Sequence, residues 1–226
     1  MLGNSIILHN KRAKGYRAGD ILYNRLHILS HLEYTDELIG QPIIRPIQVN
    51  DSIDSLLPFS KAVCSHLHSA TIHFFESDRA FARVLHNPNR YVDILKRFKY
   101  VISPDFSQKL DMPPFICYQN AWWNKALGAF WQHSGINVIP NVAWSRPDSY
   151  DYAFSGMPKH SAIAINCSAI KGNPVSRYFW MKGYERALTQ LEPTLIIRYG
   201  DRMPGEDVSR SIYFENENLK RLRNGR

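Results

Sequence analysis

The chain has no apolar run approaching the roughly 20 residues that a membrane-spanning helix needs, so no spanning helix is expected. It begins Met1-Leu2-Gly3-Asn4-Ser5-Ile6-Ile7-Leu8-His9, with no basic leader and too short an apolar stretch for a signal peptide. Cysteine is scarce: Cys64, Cys117 and Cys167 are odd in number and far apart. That excludes a disulfide framework and a Cys-x-x-Cys metal site, and it fits a reducing cytoplasm. Neither a GxGxxG string nor a phosphate-loop lysine motif is present, so no common nucleotide cofactor is implied. Gly-x-Ser-x-Gly is missing too, which argues against a standard α/β-hydrolase. His66-Leu67-His68 and His73 have no carboxylate or cysteine at a recognisable ligand spacing, so no metal and no cofactor is expected. Internal repeats and low-complexity segments are also lacking, which excludes solenoids and arrays.

What remains is an ordinary globular composition, 44% apolar and 21% charged, in 226 residues. This suits a single domain over 1–226 with a substantial core. The net charge of +8 is concentrated at the ends. Residues 1–17 carry Lys11, Arg12, Lys14 and Arg17, and residues 218–226 carry Lys220, Arg221, Arg223 and Arg226, with no acid in either stretch. Setting these eight aside leaves 20 basic residues against 20 acidic ones, so the body is formally neutral. Basic arms of this kind grip phosphates, which makes DNA the expected partner, or they simply keep a protein soluble.

Apolar runs rich in β-branched residues predict strands at Ile43–Val49, Ala70–Phe75, Tyr100–Ile102, Ile136–Ile139, Ala162–Asn166 and Leu195–Tyr199, with a last one at Ser211–Phe214. Several are continuous rather than alternating, the pattern of strands covered on both faces. Helical spacing appears over Ile21–Leu32, Ser77–Leu85, Asn89–Phe98, Phe115–His133 and Arg177–Leu191. Pro46 and Pro140 limit the first and fourth strands, and Asn141–Ser145 reads as an extended loop. The alternation predicts an α/β fold with a largely parallel sheet and flanking helices, either an open wound sheet or a partial, irregular barrel.

Such folds place their chemistry beyond the carboxyl ends of the strands. Asp105 follows the third strand directly and is fixed by Pro104, as a general base or electrostatic stabiliser would be. Ser-Pro-Asp is equally ordinary turn chemistry, and the cap reading stays open. Asn141 and Trp144 follow the fourth strand, Asn166 the fifth and Tyr199 the sixth. Asn120 and Asn124 share one helical face, as part of either a buried network or a site. Trp122, Trp123, Trp131 and Trp144 lie within 23 residues. Rings of this kind stack on bases in base-flipping enzymes, but most of these four belong to one helix and are expected to be core.

Several segments carry a resemblance. They are Val101–Ser107, Asp111-Met112-Pro113, Asn120 and Asn124 with Leu127–Gln132, Gly135–Ser145, Phe154–Pro158 and Lys182-Gly183-Tyr184-Glu185. Together, over roughly residues 95–200, the chain resembles domain of unknown function family 4417, which is scattered through bacteria, phages and plasmids. That distribution implies a role in nucleic-acid metabolism or phage conflict. The likeness extends to bacterial phage-defence DNA glycosylases that remove a glucosylated cytosine, although no diagnostic motif carries that step.

Three functions follow as expectations. The first is a metal-independent N-glycosylase excising a modified base, with Asp105 catalytic, with Asn120, Asn124, Asn141, Trp144 and Tyr199 holding the base, and with Lys11, Arg12, Lys14, Lys220, Arg221 and Arg223 on phosphates. The second is a noncatalytic DNA-binding replication or regulatory protein using the same arms. The third is a nucleotide-binding sponge, which the neutral body favours. The sequence leaves oligomeric state open.

Overall fold

In the computed structural model, residues 28–216 are described except 39, 169 and 171. The helix expected at Ile21–Leu32 and both basic arms therefore lie wholly or mostly outside the described residues. Among the described residues, seven strands run β1 Leu56–Pro58, β2 Thr71–His73, β3 Val101–Ile102, β4 Val138–Ile139, β5 Ala162–Asn166, β6 Leu195–Tyr199 and β7 Ser211–Phe214. Every pairing is parallel, in a four-stranded sheet β1-β2-β3-β4 and a three-stranded sheet β5-β6-β7. A single parallel bridge, Asn141 to Ala164, joins the two. Ala164 N–H donates to Pro140 O at 2.8 Å, and Val142 N–H donates to Ala164 O at 2.9 Å.

Strand order follows chain order, and the combined array is curled. Flat sheets space neighbouring strands about 4.8 Å apart, so β2 and β6 would stand about 19 Å apart in a flat array. Instead the rings of His73 and Tyr199, at the ends of those strands, lie 4.9 Å apart. Alternate residues serve two different cores. Val101, Val138, Ile163, Ile165 and Ile196 face outward against helices, while Ile102, Ile139, Ala164 and Ile197 meet inside the curve. Burial on both faces explains the continuous apolar runs. Among the described residues no ladder joins β1 to β7, so the barrel is not closed.

Among the described residues, seven α-helices lie between the strands: α1 Phe59–Ala62, α2 Asp78–Phe81, α3 Arg83–His86, α4 Val92–Leu95, α5 Pro114–His133, α6 Tyr150–Phe154 and α7 Pro174–Leu191. The long α5 and α7 supply most of the outer packing: Leu127, Phe130 and Trp131 of α5 against the first sheet, and Trp180, Tyr184 and Ala187 of α7 against the second. Gly135, at φ +83°, ends α5, where its N–H donates to Gln132 O and that of Ile136 to Trp131 O. No helix among the described residues is long and apolar enough to cross a membrane.

Two expectations need correction. Ile43–Val49 forms no ladder. Pro46 lacks a donor, and neighbouring amides bond to side chains instead, Arg45 N–H to Gln132 Oε1 and Ile47 N–H to Ser161 Oγ. The first strand is Leu56–Pro58. The other correction is that α7 starts three residues earlier than its apolar stripe. Pro174 occupies its first turn, and Asn173 Oδ1 accepts from the N–H groups of Val175 and Ser176.

Candidate active site at the carboxyl ends of the third to fifth strands

Beyond β3, β4 and β5 the surface opens into a cleft of about 600 Å³. One wall is the loop after β3, with Asp105, Ser107 and Gln108. A second is Val142–Ser145, which follows β4. The third comprises Asn166 and Ser168 after β5 and the start of α7, including Phe179 and Trp180.

Asp105 anchors the arrangement. Its Oδ1 accepts from Asn141 Nδ2 at 2.8 Å and its Oδ2 from Asn166 Nδ2 at 2.9 Å. Each carboxylate oxygen therefore has one amide donor, and the two amides come from different sheets. Burial pushes the Asp105 carboxyl above the ordinary carboxylate range. Donation from Asn166 and Asn141 opposes that rise, and the nearby Asp78 charge adds to it. Ionised carboxyls only accept hydrogen bonds, and two N–H donors suit that form. The amides are themselves fixed. Asn141 Nδ2 also donates to Pro104 O, and its backbone N–H donates to Ser103 Oγ. Asn166 Oδ1 accepts from Ser168 N–H, and Asn166 O accepts from Trp180 Nε1.

The loop bearing Asp105 has no regular structure, yet side chains hold its backbone at Phe106 and Ser107. Asn124 Oδ1 accepts from Phe106 N–H, and its Nδ2 donates to Phe106 O. Asn120 Nδ2 donates to Ser107 O, and Asp78 accepts from both Ser107 N–H and Oγ. Asn120 and Asn124 thus stand behind the loop as its braces, and they do not line the cleft.

Trp144 does line it. Its indole lies against α7 where residue 183 is glycine, and a Cβ there would collide with the ring. Trp180 sits 5.8 Å from Trp144 between ring centroids. Behind Trp180, Arg198 places its guanidinium 4.6 Å from the ring centroid and pairs with Glu206, both fully buried. Tyr199 goes elsewhere, into the inner core against His73 and Phe75. His73 is buried there, with Nδ1 accepting from Phe75 N–H. Burial, helped by the Lys61 charge, lowers its pKa to about 3. Among the described residues no group of three or more His, Cys, Asp or Glu side chains could hold a metal ion.

Of the residues expected at the site, Asp105, Asn141 and Trp144 converge. Sequence reasoning noted Asn166 at a strand end without assigning it a role, and it missed Gln108. Only the strand-end position could have raised Asn166. Nothing local marks Gln108.

Comparison with known proteins places this cleft inside a family. A model described as Domain of unknown function (DUF4417) matches residues 36–215. The chain belongs to that family. The DUF4417 region contains the whole cleft, while both basic arms fall outside it. Similar proteins include the Gene 1 protein of Mycobacterium phage L5, 30% identical over 141 residues, or 62% of each chain. The Gene 1 protein of Mycobacterium phage D29 is 32% identical over 129 residues, 57% of this chain and 48% of the relative. The chain thus spans about half to three-fifths of the length of these relatives. No solved structure matches it.

Proposed function

We propose that the protein is a metal-independent DNA N-glycosylase, excising a modified base from phage or mobile-element DNA, with Asp105 as its catalytic carboxylate. The observation that carries this reading is the double amide clamp on Asp105 in an aromatic-walled cleft. Breaking the bond between C1′ and the base nitrogen leaves positive charge on the sugar, and a fixed carboxylate stabilises it. Asp105 then takes a proton from water as the water oxygen bonds to C1′. The base leaves with the electron pair of the broken bond and takes up a proton. The cleft volume of about 600 Å³ suits a flipped nucleotide, with Trp144, Phe179 and Trp180 as apolar walls. The terminal arms, rich in Lys and Arg, would grip flanking phosphates. Family membership among phage proteins is compatible with a DNA substrate.

The test incubates the protein with unmodified DNA and with glucosyl-hydroxymethylcytosine DNA in buffer containing a chelator, then assays alkali-labile abasic sites. Cleavage that disappears in Asp105→Asn is the expected result. Intact DNA on both substrates overturns excision and leaves a cleft that only binds a base.

A further inference from the structure

Among the described residues, the charged side chains lining the cleft are Asp105, Lys109 and Asp111, one cation against two carboxyls. A nucleotide held there brings phosphates on either side of it, and phosphates bind where cations are supplied. The sequence supplies them in two acid-free runs, at residues 1–17 and 218–226. The fold treats the two runs differently.

Every strand pairing is parallel, so β7 ends on the face where the cleft opens. Phe214 pairs with Tyr199, and its O accepts from Gly200 N–H at 2.9 Å. Two residues further on, Asn216 Nδ2 donates to Ser168 Oγ at 3.1 Å, and Ser168 lines the cleft. Asn216 is the last described residue, so the chain enters the 218–226 run from the rim of the cleft. Lys220 is four residues beyond it and stays within about 14 Å of that rim even at full stretch.

The other run is attached to the opposite end. Helix α5 begins at Pro114, close behind Asp111 of the cleft, and ends at His133. His31 stacks on the His133 ring at 4.7 Å between centroids, and its N–H donates to the O of Ile28, the first described residue. A helix of 20 residues is about 30 Å long, which sets Ile28 about that far from the cleft. Arg17, eleven residues before Ile28, spans at most about 37 Å and reaches the cleft only as nearly straight chain. Ordering that chain costs backbone entropy at every residue, and effective concentration falls as a tether lengthens.

We infer that residues 218–226, rather than 1–17, form the arm that grips the phosphates next to the nucleotide in the cleft, through Lys220, Arg221, Arg223 and Arg226. This deepens the excision reading and rests on it for the DNA substrate.

The test measures binding of a short single strand carrying one glucosyl-hydroxymethylcytosine on a 2′-fluoroarabinose sugar. The fluorine destabilises cationic character at C1′, so the probe survives. Two full-length variants are compared with wild type: Lys220→Gln, Arg221→Gln, Arg223→Gln and Arg226→Gln together, and Lys11→Gln, Arg12→Gln, Lys14→Gln and Arg17→Gln together. The first should lose more than about tenfold in affinity, and its plot of log K against log salt should be shallower by about 2–3. The second should change the slope by less than about 1. Neutral methylphosphonates at the phosphates flanking the modified base should weaken wild type strongly and the first variant by less than about twofold. In wild-type protein, which needs no variant to fold, the same strand should protect Lys220 from acetylation and leave Lys11 and Lys14 reactive. Equal losses in the two variants, a larger loss in the second, or a methylphosphonate effect that persists in the first overturns the assignment and leaves Asp105-dependent excision standing. If wild-type protein neither binds the strand nor forms abasic sites, the DNA reading fails and the role of the arm fails with it.

Discussion

The strands of the first sheet are two or three residues long, whereas those of the second run four or five. The short-stranded half is held by side chains reaching backbone: Asn124 to Phe106, Asn120 to Ser107, Asp78 to Ser107, Ser103 to Asn141. In the second half continuous ladders do this work, and a buried Arg198–Glu206 pair backs the aromatic wall. Asp105 belongs to the first half and Asn166 to the second, so the clamp straddles the seam. The contrast teaches a division of labour. An irregular loop can aim a carboxylate out of a sheet, provided side chains replace the missing ladder. A regular half gives that loop a rigid surface to close against.

Breaking the seam should have the largest effect. Asp105→Asn is expected to lower excision by about 10²–10⁴-fold, measured as single-turnover release of base. Removing one clamp donor should sharpen the comparison between the halves. Asn166→Ala and Asn141→Ala each take away a bond that opposes the rise in the Asp105 pKa. Activity needs the ionised carboxylate, so it should fall as pH drops through a pKa above the ordinary carboxylate range. In either variant that acid limb should move to still higher pH. A limb that stays put in both variants would remove the clamp from the chemistry.

Stability separates the halves next. Glu206→Gln leaves the Arg198 charge buried without its counter-ion and should cost about 3–5 kcal/mol. Asn124→Ala deprives two buried backbone groups at Phe106 of partners and should cost about 2–3 kcal/mol. Urea titrations measure both. The Asn124 variant should also lose activity beyond its loss of folded protein, because it frees the loop that carries Asp105.

The smallest effect at any one pH step is a slope. Lys125, within α5, is fully buried, and its Nζ donates to the carbonyls of Tyr152 and Ser155 near the end of α6. Burial lowers its pKa to about 7, against a modest opposing pull from Glu37. Above that value the folded protein has released this proton while the unfolded chain still holds it up to about pH 10.4. Stability from this group therefore rises with pH from about 7 to 10, by at most about 1.4 kcal/mol per pH unit. Lys125→Met should flatten that rise in denaturation curves taken across the window, and an unchanged slope would refute the assignment.

Much of the regular structure was written in local sequence. Ala162–Asn166, Leu195–Tyr199 and Ser211–Phe214 are strands where their apolar runs predict, because each forms a ladder of four or five residues, long enough for β-branched and aromatic side chains to mark it. The long α5 follows its apolar stretch, and Asn173-Pro174 carried the true start of α7 in plain capping chemistry. The first half was harder to read. Its strands are too short for periodicity to bound, and Ile43–Val49 has strand-like composition but bonds to the side chains of Gln132 and Ser161 and to the backbone of Glu33, Gly156 and Ala162.

Sequence alone determined the parallel α/β class, the neutral body with basic ends, and a carboxylate fixed behind Pro104 at a strand end. Tertiary structure decided which amides meet that carboxylate, since Asn141 and Asn166 lie 36 and 61 residues from it. It also turned Tyr199 into the inner core and set Asn120 and Asn124 behind the loop. The physical reason is the curl of the sheet. Local propensity sets each element, but which strand ends come together depends on curvature summed over all seven strands.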